Sequence, residues 1–114
     1  MIKIVEQSLL YDFYGELLTK HQKEIYEDVV IHDYSLSEIA NEKGISRQGV
    51  HDLIKRCDRT LRGYEDKLHL VERFMNTKQD VLTIRQLADE FKATSDIKLI
   101  DKISDISYKI LEEI

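Results

Sequence analysis

Apolar side chains recur along the chain at helical spacing, and polar caps divide the pattern into segments. Val5, Leu9, Leu10, Phe13, Tyr14, Leu17 and Leu18 predict an amphipathic helix from Ile4 to Leu18, with Tyr11 off the buried stripe. Thr19 stands three residues before Gln22, a capping box that opens a second helix through Ile25, Tyr26, Val29 and Val30. His32, Asp33 and Tyr34 form the connector that follows. Ser35 and Glu38 repeat the capping box, so a short helix starts near Leu36, carries Ile39 and Ala40, and stops at Lys43-Gly44, where glycine accepts a positive φ without Cβ cost. Ile45 is expected as a buried anchor, and Ser46 as the N-cap of a further helix bearing Val50, Leu53, Ile54 and Cys57.

Two capped helices joined by a glycine turn of a few residues read as a helix-turn-helix. Ala40, Gly44 and Val50 supply a small residue for close crossing, a corner, and a branched residue that locks the second helix on the first. Beyond the turn, Val50, Ile54, Cys57, Leu61, Tyr64, Leu68, Val71 and Met75 are spaced 4, 3, 4, 3, 4, 3, 4. That heptad predicts one long recognition helix from about Arg47 to Asn76, with Gly63 as the place for a bend. Its seam must be covered, either by the Ile4 to Leu18 helix and the C-terminal segments or by a second subunit in a homodimer.

After a polar interval at Asn76 to Asp80, Val81, Ile84, Leu87, Ala88 and Phe91 predict a short amphipathic helix. Ala93-Thr94-Ser95-Asp96 is a break with capping residues. A last helix follows through Leu99, Ile100, Ile103, Ile106, Ser107, Ile110, Leu111 and Ile114, apolar on one broad face and mixed Asp/Lys on the other. With no proline and four glycines in 114 residues, the expected fold is all-α, a single domain with a core at 1–75 and a helical extension at 76–114.

Charge sharpens the picture. Residues 1–42 carry three basic and nine acidic side chains, 43–63 six and two, and 64–114 eight and eleven, within a total of −5. The second helix of the motif is thus a positive island on an acidic body. A net negative chain is a poor indiscriminate coat for nucleic acid, so binding must be local. Ser46, Arg47, Gln48 and His51 lie where a recognition helix meets base edges, with Arg suited to guanine and Gln to adenine. Lys55, Arg56, Arg59 and Arg62 suit phosphates. DNA and RNA are both candidate targets.

Other chemistry is weakly signalled. His21, His32, His51 and His69 show no metal-ligand spacing, and Cys57 alone forms no internal disulfide, so it reads as a buried thiol. Asp12, Glu16, Glu27 and Asp28 read as an outer face rather than a catalytic pair. No cofactor, metal or enzymatic activity is expected. Without a leader or a long apolar run, the expectation is a cytoplasmic protein that does not insert into membranes.

The strings DYSLSEIA, ISRQGV and YEDKLHL, within a stretch from Leu9 to Leu70, resemble the YlxM-type proteins of Gram-positive bacteria, the UPF0122 family. The core also resembles region 4 of a sigma factor, at Thr19, Gln22, Leu36, Glu38, Ile39, Ala40, Gly44, Ser46 and Val50. Gly49 falls where that pattern more often has alanine. The resemblance implies a sigma-region-4-like helix-turn-helix and a regulatory or accessory role in the signal recognition particle pathway, through its GTPases or its RNA. It assigns Arg47 and Gln48 as nucleic-acid contacts, supported by Lys55, Arg56 and Arg59. A protein-interaction module that kept the fold while gripping a protein partner is the alternative reading.

Overall fold

The computed structural model describes residues 2–114, with side chains from residue 4 onward. Every regular element among them is helical. Two compact units are distinguished, Met1–Val71 and Glu72–Ile114.

The first unit begins with α1 (Ile2–Tyr14), which tightens into a 3-10 turn at Gly15–Leu17. The buried stripe is narrower than the apolar pattern suggests: Leu10, Tyr14 and Leu18 are buried and Leu9 is half-buried, while Val5, Phe13 and Leu17, expected on the same face, are exposed. Tyr11 moves the other way. It packs against the core, stacks on Tyr26 with ring centroids 5.5 Å apart, and donates its hydroxyl to Glu27 Oε1 at 2.5 Å. Glu27 is therefore a half-buried acceptor rather than part of an outer face. Gly15 makes this placement feasible, because a Cβ there would lie 2.7 Å from the Tyr11 ring.

Helix α2 (Lys20–Tyr26) opens on the complete Thr19/Gln22 capping box and widens into a π-turn at Glu27–Ile31. Ile25 and Tyr26 are fully buried, and Val29 and Val30 pack against the same core. Helix α3 (Leu36–Lys43) opens on the second capping box, Ser35 and Glu38, and ends where Gly44 takes φ 70°. Ser46 caps α4 (Arg47–Leu68), its Oγ accepting the Gly49 amide at 2.9 Å. Ile45 in the turn is 38% exposed, so the expected anchor is absent there. Ile39, Ala40 and Val50 close the crossing instead, consistent with the small and branched residues placed there. Each fully buried aliphatic of this core contributes roughly 1.5–3 kcal/mol.

The single helix expected from Arg47 to Asn76 is interrupted. It passes Gly63 unbroken and stops at His69, which adopts a left-handed φ of 56°, before α5 (Leu70–Thr94) begins. The apolar periodicity runs on because a one-residue break leaves the spacing intact. The amides released at the break are taken up locally: Leu70 N donates to Tyr14 Oη at 3.1 Å and Val71 N to Glu65 Oε1 at 2.9 Å. Val50, Ile54, Cys57 and Leu61 of the seam are buried from within this unit by α1, α2 and α3.

In the second unit α5 continues without a break through residues 76–80, where a polar interval was expected, and its helix reaches Thr94. None of those residues is a helix breaker, and Asp80 is in fact buried: its Oδ1 accepts Lys109 Nζ at 3.0 Å. Among the described residues Asp80 Oδ2 is a buried side-chain oxygen without a partner. The expected break at residues 93–96 is present, with Ser95 at φ 56° and Asp96 Oδ1 accepting the Lys98 amide at 3.0 Å. Helix α6 (Lys98–Glu113) follows, with Leu99 buried.

Candidate nucleic-acid interface

The same periodicity that buries one stripe of α4 forces its opposite face outward. Ser46, Arg47, Gln48 and His51 occupy the first turns and are all exposed, as are Arg56, Arg59 and Arg62 further along; Lys55 is half-buried. These positions were named from the sequence, and the fold gathers them on one helix. They do not all stand alike.

In the leading turns, Gln48 Nε2 donates to Asp52 Oδ1 at 2.9 Å, and His51 Nδ1 lies 3.7 Å from the same oxygen. Asp52 was not anticipated as a member of this surface. Its place one turn after Gln48 is the signal that would have found it, since residues four apart share a face. A carboxylate there repels phosphate and can accept from the cytosine amino group in the major groove. Ser46 is committed to capping, and a Cβ at Gly49 would sit 3.0 Å from the Ser46 Oγ. The departure from alanine at position 49 therefore has a local reason in the cap.

Further along, α4 is tied to the scaffold by its polar side chains. Arg62 pairs with Glu6 of α1, and that carboxylate holds the guanidinium above its ordinary value. Asp58 accepts from Gln7 Nε2 at 2.9 and 3.0 Å and from Tyr26 Oη at 2.6 Å, joining α1 and α2 to α4 through one carboxylate. Lys55, Arg59 and Arg62 line a cavity of about 210 Å³ together with Glu6, Gln7 and Asp58. Arg56 stands outside it. Behind this surface Cys57 is fully buried, and burial pushes its thiol up to about 11, with the Asp58 charge adding to the effect. A thiol in that state is inert, as read from its place on the seam.

No helix among the described residues is long and apolar enough to cross a membrane. The profile of the UPF0122 family, described as "Putative helix-turn-helix protein, YlxM / p13 like", matches residues 1–104. That description is of a helix-turn-helix family and not of an enzyme family. A UPF0122 protein of Acetivibrio thermocellus is 40% identical over 116 residues, covering 98% of this chain and 99% of the relative. One from Desulforamulus reducens is 38% identical across 93% of this chain and 91% of its own length. Another, from Bacillus velezensis, is 38% identical across 89% and 96%. Matched by the family profile over most of its length and by relatives nearly end to end, the chain belongs to the UPF0122 family.

Proposed function

We propose that the protein is a non-enzymatic, cytoplasmic regulator that binds nucleic acid through the leading turns and basic outer face of α4. The observation that carries this reading is the division of α4 into two faces. Val50, Ile54, Cys57 and Leu61 are buried, while Arg47, Gln48, His51, Arg56 and Arg59 stand in solvent on the other side. In this reading Arg47, Gln48 and His51 address base edges, with Ser46 as the cap that starts the helix. Lys55, Arg56, Arg59 and Arg62 address phosphates. The likeness to region 4 of sigma factors supports the same docking, and the likeness to YlxM-type proteins directs the search for a target to the signal recognition particle pathway.

The test is a salt titration of fluorescence anisotropy with duplex DNA and with structured RNA. Neutralising four to six phosphates makes log K fall against log salt with a slope of roughly −4 to −5. Arg47→Ala combined with Arg56→Ala should abolish binding while leaving the circular dichroism unchanged. Absence of binding to either nucleic acid at low salt sinks the proposal.

A second reading has its own support. Asp52 sits within the proposed surface and Arg62 is already paired with Glu6, an arrangement that also suits a protein partner carrying both charges. Pull-down from a native lysate, sequencing RNA and protein from the same eluate, separates the two. A signal recognition particle protein retained after nuclease treatment favours the second.

A further inference from the structure

On the leading turns of α4 the Gln48 amide and the Asp52 carboxylate act as one unit. An ionised carboxylate only accepts, so the amide must face it with nitrogen, and Nε2 donates to Asp52 Oδ1 at 2.9 Å. That contact fixes which way the amide points. His51 Nδ1 lies 3.7 Å from the same Oδ1, while among the described residues nothing is hydrogen-bonded to Asp52 Oδ2 or Gln48 Oε1. Both side chains are exposed. Resting on the reading of α4 as a nucleic-acid-binding helix, we propose that Asp52, held by Gln48, is a specificity-determining residue that selects cytosine in the major groove of duplex DNA.

Cytosine is the base whose edge matches. It presents the N4 amino donor in the major groove and no acceptor, so a carboxylate meets a partner there without repulsion. Guanine presents N7 and O6 and thymine presents O4, which leave Asp52 facing a lone pair. Adenine carries an amino group but sets the N7 acceptor beside it. An unattached glutamine reads adenine by donating to N7 and accepting from N6, whereas Gln48 already has one amide proton engaged by Asp52. The same chemistry requires DNA. The major groove of B-DNA admits a helix, while that of A-form RNA is too deep and narrow for side chains to read. Charge points to specificity rather than general attraction. A negative group among Arg47, His51 and Arg56 weakens the pull on every phosphate, and Arg56, at the four-residue spacing that favours an ion pair, forms none with it among the described residues. The carboxylate is thus not neutralised by its neighbour, a penalty on indiscriminate binding that a base contact offsets only at the matching sequence.

Selection from a random duplex DNA library by the full chain, read by sequencing the bound fraction, tests the assignment. The native protein should enrich sites with cytosine at one fixed position, and replacing that base should weaken binding roughly 5- to 150-fold, the range of a well-placed base contact. Asp52→Ala should abolish the preference at that position alone. Asp52→Asn should move it towards adenine, which asparagine reads through N6 and N7. In both variants affinity for random duplex should rise a few-fold, because a repulsion of phosphate has gone. A residue with a merely structural role would not move specificity and affinity in opposite directions. Both substitutions fall at an exposed position, so circular dichroism should be unchanged. A native chain that binds duplex DNA without selecting cytosine, or Asp52 variants that keep the native preference, overturns the assignment and leaves nucleic-acid binding by α4 standing. Binding to structured RNA but not to duplex DNA does the same. Absence of binding to either removes the functional reading of α4 and the assignment with it.

Discussion

The hydroxyl of Tyr14 donates to Glu65 Oε1 at 2.5 Å, and the two groups together cap the first amides of α5. A left-handed histidine is costlier than glycine at a helix end, yet His69 ends α4 because these partners receive what the break releases. Burial, followed by the hydrogen bond to Glu65, holds the Tyr14 phenol above its ordinary value.

Tyr14→Phe leaves the half-buried Glu65 carboxylate and the Leu70 amide with one partner fewer. The expected cost is about 1–3 kcal/mol in denaturant unfolding. Glu65→Ala should cost a similar amount, and the double variant less than the sum, because both act on one network.

Two glycines separate cleanly. Gly63 lies inside α4 with open space where a Cβ would go, so Gly63→Ala should raise stability by about 0.5–1 kcal/mol. Gly15→Ala should lower it by about 1–3 kcal/mol, since the new methyl meets the Tyr11 ring. Midpoints of urea unfolding check both, and a stabilised Gly15→Ala would contradict the packing described for Tyr11.

Alkaline pH should unfold this protein sooner than a typical helical one. The Cys57 thiol titrates at about 11 when folded against 9.0 as its ordinary value, so its contribution is complete below pH 9 and is lost as pH rises to about 11. Above pH 9 the unfolded chain binds fewer protons than the folded one, and stability falls by roughly 1.4 kcal/mol per pH unit for each such group. Tyr11, Tyr14 and Tyr26 act in the same direction from pH 10 upward, each held neutral first by burial and then by a carboxylate partner. Unfolding free energy measured across this range should fall less steeply in Cys57→Ala.

Glu6→Gln releases Arg62 from its partner on α1. If α4 meets phosphates as proposed, nucleic-acid affinity should rise several-fold and the salt slope should steepen by roughly 0.9, one phosphate's worth. An unchanged slope would place Arg62 outside the contact surface.

The helix-turn-helix was legible because its signals are local. Thr19 with Gln22, Ser35 with Glu38, Ser46, and Gly44 each act within four residues, and each takes the role its chemistry dictates. The exposure of Arg47, Gln48 and His51 followed from the buried stripe opposite them. What could not be read was tertiary. The break at His69 preserves the apolar spacing, so periodicity is blind to it. Tyr11 joins the core through a glycine four residues on and an acceptor on the next helix. The partners of Asp58 lie 51 and 32 residues away and that of Arg62 lies 56 away, with nothing local to announce either.

The two-sided character of α4 has an evolutionary corollary. Its inner positions are held by the need to fill the core, and Asp58 by its ties to two other helices. The outer positions, among them Arg47, Gln48, Asp52 and Arg56, stand exposed, where substitutions usually shift stability by no more than about 0.5 kcal/mol. A descendant of this chain could therefore acquire a new target by altering a handful of codons while inheriting its architecture unchanged.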